Sequence, residues 1–199
     1  MEVDQLDEAA QLYDEALAIR QKFASAANSD TRSKVTLTAV QEQFAGLSLK
    51  RGDRQRALSL LTEVVTARRA HAQDTDNEVT RRDLAGAMEK LALVHLALGE
   101  AQASVTVSES ALQIRAAQAE ADPENIQKRA LVAATLATAG KARLELRQCE
   151  PAGRDLKKSH ELFAAAAAAV PINLDWPARR DEVAQTIAAA KPLCEPPPR

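Results

Sequence analysis

The sequence predicts an all-α fold built from about eight helices stacked as antiparallel hairpins. Three observations predict it. One phrase recurs, as Ala16-Leu17-Ala18-Ile19-Arg20, Val64-Val65-Thr66-Ala67-Arg68 and Ala111-Leu112-Gln113-Ile114-Arg115. Arg20 and Arg68 lie 48 residues apart and Arg68 and Arg115 47 apart, a period that means stacked supersecondary units. Composition points the same way: 6 glycines in 199 residues, 3% aromatics, and a bulk of Ala, Leu, Glu, Gln, Arg and Lys, which lose little freedom in a helix. All eight prolines lie at Pro123 or later, so no proline interrupts the first 122 residues.

Each element follows from apolar periodicity and its stop signals. In the first helix, which runs to about Ala27, Leu6, Ala9, Ala10, Tyr13, Ala16 and Leu17 follow helical spacing. Asp4 or Asp7 can begin it. Asn28-Ser29-Asp30 breaks it, and Asp30 suits the N-cap of a second helix over about 31–51. That helix carries Leu37, Val40, Phe44 and Leu47, and Gly52 closes it. Asp53 caps a third helix ending near Gln73, with Ala57, Leu58, Leu61, Val64 and Val65 inward. After the break Asp74–Asn77, a fourth helix (Leu84, Ala87, Met88, Leu91, Val94, Leu98) stops at Gly99, and a fifth spans about 100–121.

Asp122-Pro123-Glu124-Asn125 punctuates again, with Pro123 expected in the first turn of a sixth helix that carries Val132, Leu136, Ala139, Ala142 and Leu146. Residues 148–151 read as a tight turn and 152–169 as a seventh helix with Leu156 and Phe163. Asp175 is expected to cap an eighth helix over 175–190, with Pro177 in its first turn. The repeat domain is thus 1–190: an unpaired helix at 1–27, hairpins at 31–73, 77–121 and 124–169, and a capping helix at 175–190. Residues 191–199, with three consecutive prolines, are expected to be a disordered tail. Val35–Val40 and Ser104–Ser108 alternate like strands, but each sits inside a longer helical pattern.

Composition excludes several function classes. Net charge is −2, and the pairs Arg68-Arg69, Arg81-Arg82 and Arg179-Arg180 are short and flanked by acids. They read as solvated helix faces, not as a nucleic-acid footprint. No apolar run approaches 18 residues, so no membrane insertion is expected. Cys149 and Cys194 fit no metal spacing and no disulfide framework; each reads as a lone thiol, with a lean to a reducing cytoplasm. Nucleotide-binding glycine loops, kinase catalytic motifs and His/Cys metal spacings are absent from the sequence. His71 and His160 read as surface residues and His95 as packed or hydrogen-bonded. No carboxylate pair or activated Ser or Thr stands out, so no catalytic, cofactor or metal site is expected. Trp176 reads as a plug at the end of the core.

A small–large–small pattern recurs in the unpaired first helix and in the second helix of each hairpin: Ala9-Tyr13-Ala16, Ala57-Leu61-Val64 and, more loosely, Ser104-Ser108-Ala111 and Ala152-Leu156-Ser159. The first helix of each shows Phe44-Ala45, Leu91-Ala92 or Ala139-Gly140 ahead of its turn. This resembles the tetratricopeptide repeat, a helix–turn–helix unit. The 47–48-residue period is longer than that family's usual unit. Ser48, His95 and Arg143 stand where its tyrosine is expected. The longer period, the Ala-Ile-Arg phrase and the ending Asp181–Ile187 are similar to the C-terminal repeat arrays of bacterial eukaryote-like serine/threonine kinases.

The resemblance implies a right-handed superhelix and a non-catalytic scaffold that binds a peptide or partner helix in a concave groove. Carried over residue by residue, the groove positions are Glu42, Gly46, Glu89, Leu93, Lys141 and Glu145. That face looks mixed and partly acidic, which favours a basic or apolar partner. The alternatives are a structural or oligomerisation array with no peptide ligand, and an all-helical bundle enzyme. The first helix lacks a hairpin partner, so its apolar surface suggests a homo-oligomer through this N-terminal half repeat.

Overall fold

A computed structural model describes residues 2–26, 31–75 and 77–194. Among the described residues the chain is all-α, with eight helices and no strand. Helices α1 (Glu2–Ser25), α2 (Thr31–Lys50), α3 (Arg54–Asp74) and α4 (Glu78–Ala97) belong to one compact unit, Met1–Leu98. Helices α5 (Ala101–Ala121), α6 (Ile126–Glu145), α7 (Cys149–Ala169) and α8 (Asp175–Cys194) belong to a second, Gly99–Arg199. Within each unit every helix packs on its neighbours in sequence. Val35–Val40 and Ser104–Ser108 are helical, as the longer periodicity requires.

The turns obey local chemistry. Gly52 adopts φ +80 after α2, a conformation that costs glycine nothing. The Asp53 N–H then donates to Ser48 O at 2.8 Å, and the Asp53 carboxylate accepts from Arg56 N at 3.0 Å. Gly99 repeats the geometry at φ +76, and Arg147 holds the same place at φ +58 without being glycine. Asn77 caps α4 through a reciprocal box with Thr80.

Five boundaries differ from the sequence expectation. Helix α1 begins at Glu2, ahead of the expected Asp4 or Asp7 start. The turn expected at 148–151 lies at Leu146–Gln148, and α7 starts at Cys149, because Pro151 is tolerated in a first turn where its missing N–H is not needed. Pro123 precedes α6; Asn125 is the cap, its side chain accepting from Lys128 N at 3.2 Å. Asn173, not Asp175, accepts the first amides of α8, from Asp175 N at 3.0 Å and Trp176 N at 3.4 Å. Helix α8 also runs on to Cys194 with Pro192 inside it. The break at 28–30, the Asp30 cap and the tail at 195–199 lie outside the described residues.

The two cores differ in character. In the first unit Phe44 of α2 is buried, stacked on Tyr13 of α1 with ring centroids 5.5 Å apart, and the Arg56 guanidinium lies 5.2 Å from its centroid. Leu61 and Val64 of α3 and Leu91 and Val94 of α4 are buried in the same unit. The second unit is an alanine core: residues 133–140 of α6 are buried without a break. Small side chains let α6 sit close to its neighbours, and Gly140 admits Leu156 of α7. Phe163, Trp176 and Val183 close this cluster, so Trp176 does plug the core.

The cysteines overturn the reading of two lone thiols. Cys149 and Cys194 form a disulfide, with Cα atoms 5.6 Å apart. Cys149 opens α7 and Cys194 ends α8. Antiparallel packing of two helices of similar length brings those ends together.

Candidate functional site

In the first unit α2 and α4 each expose a stripe of small and apolar residues. On α2, Val35, Ala39, Glu42, Gly46 and Leu49 recur at helical spacing along one side. All but Glu42 are exposed. On α4, Val79, Gly86, Lys90, Leu93 and Ala97 do the same, with Gly86 half-buried and the others exposed. Helix α3 separates α2 from α4 in sequence and packs on both, so α2 and α4 run in the same direction.

Glu42 fastens the two stripes. Its Oε1 accepts from Lys90 Nζ of α4 at 2.6 Å, and its Oε2 accepts from Arg68 Nη2 of α3 at 2.5 Å. Burial alone would raise the Glu42 carboxyl, but the Lys90 hydrogen bond and the charges of Arg68 and Lys90 outweigh it and hold the group below its ordinary value. Arg68 also donates to the backbone oxygen of Asp83 at 2.8 Å. Arg68 is therefore a structural clamp rather than part of a solvated face.

Of the expected groove residues, Glu42, Gly46, Glu89 and Leu93 lie on α2 and α4. Gly46 and Leu93 are exposed, Glu89 is half-buried, and Glu42 is engaged as described. A Cβ added at Gly46 or Gly86 meets nothing within 4 Å, so both glycines open shallow floor. Lys141 and Glu145 belong to α6 in the second unit. Lys141 is held by Glu182 of α8 at 2.5 Å, while Glu145 is exposed. In register with the α2 stripe, α6 carries Ala130, Ala134 and Ala137, all buried, and α8 packs on α6. The open stripe of the first unit is thus a closed seam in the second.

Val35, Ala39, Leu49, Val79, Gly86, Lys90 and Ala97 were missed by alignment to the repeat pattern. The signal was present: extending the spacing of Glu42 and Gly46 in both directions meets a run of small and apolar residues where a solvated face should be polar. Val35 also borders a cleft of about 440 Å³ among the end of α1, α2 and α3. Gln41, buried in its wall, donates to Glu63 at 2.5 Å. His71 lines this cleft and is half-buried, not solvated.

No protein-family model and no curated protein sequence matches the chain. No described helix is long and apolar enough to cross a membrane.

Proposed function

We propose that this chain is a non-catalytic interaction module whose α2–α4 face receives an amphipathic partner helix. The observation that carries the reading is the pair of exposed apolar stripes, Val35-Ala39-Gly46-Leu49 and Val79-Gly86-Leu93-Ala97, running side by side across a neutralised Glu42. A helix with apolar residues at i, i+4 and i+7 lies along such a channel. The Val35 end opens on the cleft, which has room for one anchoring side chain.

Charge refines the partner. The sequence suggested a mixed, partly acidic face and a basic or apolar partner. With Glu42 paired to Arg68 and Lys90, α2 keeps Arg32, Lys34 and Lys50 as exposed cations. An apolar stripe with acidic flanks complements this better than a basic one. In this reading the chain recruits a partner for a larger signalling protein, the setting that the likeness to kinase-terminal repeat arrays implies. The Cys149–Cys194 bond argues for an oxidising compartment over the reducing cytoplasm.

The experiment is a selection of helical peptides from a displayed library on the full chain, with binding then measured to the Gly46→Arg and Leu93→Arg variants. Enriched peptides should carry spaced apolar residues with Asp or Glu beside them, and each variant should weaken binding at least tenfold. Equal binding to the variants, or no enrichment, would rule out this face and leave the structural-array reading.

A further inference from the structure

Helix α1 carries a second apolar stripe, on the side away from α2. Leu12, Ile19 and Phe23 are 61%, 54% and 61% exposed, at positions i, i+7 and i+11, with Ala16 between them at i+4. Ala10 and Leu17, which α1 buries, lie on roughly the opposite side. Aligning Arg20 with Arg68 puts Leu12 in register with Leu60 of α3, which is 4% exposed because α3 has a helix on each side. Scattered surface leucines need no explanation, but three large apolar side chains aligned on one face of one helix form a packing surface.

The charges beside this stripe select its occupant. Glu8 and Glu15 flank it in the first half of α1, and Arg20 and Lys22 in the second half. All four are exposed, and none takes part in an ion pair within the described residues. A second α1 laid antiparallel opposes the acidic half of one helix to the basic half of the other. A parallel copy would put like charges together. When Leu12 faces Phe23 of the second copy, Ala16 faces Ile19 of the second copy. Glu15 then lies beside Lys22 of the second copy, on the same flank. Two-fold symmetry repeats every one of these contacts, as a closed dimer requires.

We propose that the outer face of α1 is a self-association surface, an antiparallel pair of α1 helices from two copies of this chain. One helix pair with three large side chains from each copy buries less than the roughly 1,200 Å² of a stable standard interface. The dimer therefore forms with a Kd on the order of micromolar or weaker. The surface is separate from the α2–α4 face, and its existence does not depend on that face binding a peptide.

Sedimentation equilibrium of the full chain over a wide concentration range reads the association directly. The mass should rise from 21.4 kDa toward twice that value with concentration. Ile19→Glu should leave the protein monomeric throughout, with its circular dichroism unchanged. Glu15→Lys and Lys22→Glu should each weaken association several-fold at low salt, and the double variant should restore it. Gly46→Arg should leave it untouched. A wild type monomeric at every concentration overturns the proposal, as does a dimer indifferent to Ile19→Glu. A double variant no tighter than the single variants overturns the antiparallel register.

Discussion

Arg115 of α5 donates from Nη1 to the backbone oxygen of Leu131 in α6, at 2.8 Å, and Arg68 makes the same bond one repeat earlier, to the oxygen of Asp83. In these two copies of the repeated phrase the closing arginine is therefore a clamp from one helix to the backbone of the next. Arg115 is buried and also reaches Thr135 Oγ1 at 3.1 Å. Arg68 has the Glu42 carboxylate as its second partner instead. Arg20, in the same place in the phrase, is exposed.

This difference gives an ordered prediction. A buried, charged hydrogen-bond donor is worth more than an exposed one. Arg115→Met should destabilise the second unit by about 2–3 kcal/mol, whereas Arg20→Met should change stability by less than about 0.5 kcal/mol. Urea denaturation of both variants checks this, and similar losses for the two would reject the clamp.

The arginines also show what was legible in the sequence. Their spacing revealed the hairpin period, because a repeated residue type at a fixed interval needs no knowledge of its partners. Their role was not legible, because Arg68 beside Arg69 looks the same whether it faces water or reaches a carbonyl 15 residues further on. Helix identity survived everywhere, since Ala and Leu periodicity is local. Pro123 and Asp175 were misplaced by a few residues because Asn125 and Asn173 offer competing caps. A smaller part of the candidate site was legible: Glu42, Gly46 and Leu93 follow from repeat alignment, but whether an aligned position is open or closed depends on tertiary neighbours. Helix α8 closes the α6 seam around Lys141, and nothing in the local pattern of α6 announces that.

The disulfide was readable only through topology. Cysteines 45 residues apart, spanning two antiparallel helices, fall at the same end of the pair. Closing a loop of that length restricts the unfolded chain by about 4 kcal/mol in the chain-entropy estimate. Reduction, or Cys149→Ser with Cys194→Ser, should lower the stability of the second unit by up to about that amount while its helix content stays high. Free thiols in protein unfolded without reductant would contradict the bond.

Three helical glycines should respond differently to the same substitution. Gly46 and Gly86 have open space where a Cβ would go, so Gly46→Ala and Gly86→Ala should each stabilise by about 0.5–1 kcal/mol, the cost of glycine in a helix interior. At Gly140 a Cβ would stand 2.7 Å from Leu156 Cγ and 2.9 Å from its Cδ2, so that leucine must move within a close-packed core. Gly140→Ala should therefore destabilise, by about 1–3 kcal/mol as overpacked cores do. Thermal melts of the three variants decide it; a stabilised Gly140→Ala would mean that α6 and α7 are not in such close contact.

Two carboxylates, Glu42 and Asp155, should contribute to stability with opposite responses to acid. Glu42 is held below its ordinary value of 4.5, the pull of Lys90 and Arg68 exceeding the effect of burial. Its contribution is present above the unfolded pKa and is lost as pH falls through the lower folded one. Asp155, beside Arg143, is pushed above its ordinary 3.8, because there burial outweighs the attraction of the guanidinium. Its protonated form is favoured on folding, so its contribution is complete below 3.8 and is lost as pH rises through the folded pKa. Each Gln or Asn substitution removes one titration, so the stability difference from wild type isolates it. Between about pH 3 and pH 6, Glu42→Gln should become progressively less stable relative to wild type as pH rises, and Asp155→Asn progressively more stable. Urea midpoints across that range measure both slopes, and two slopes of the same sign would show that burial does not dominate at Asp155.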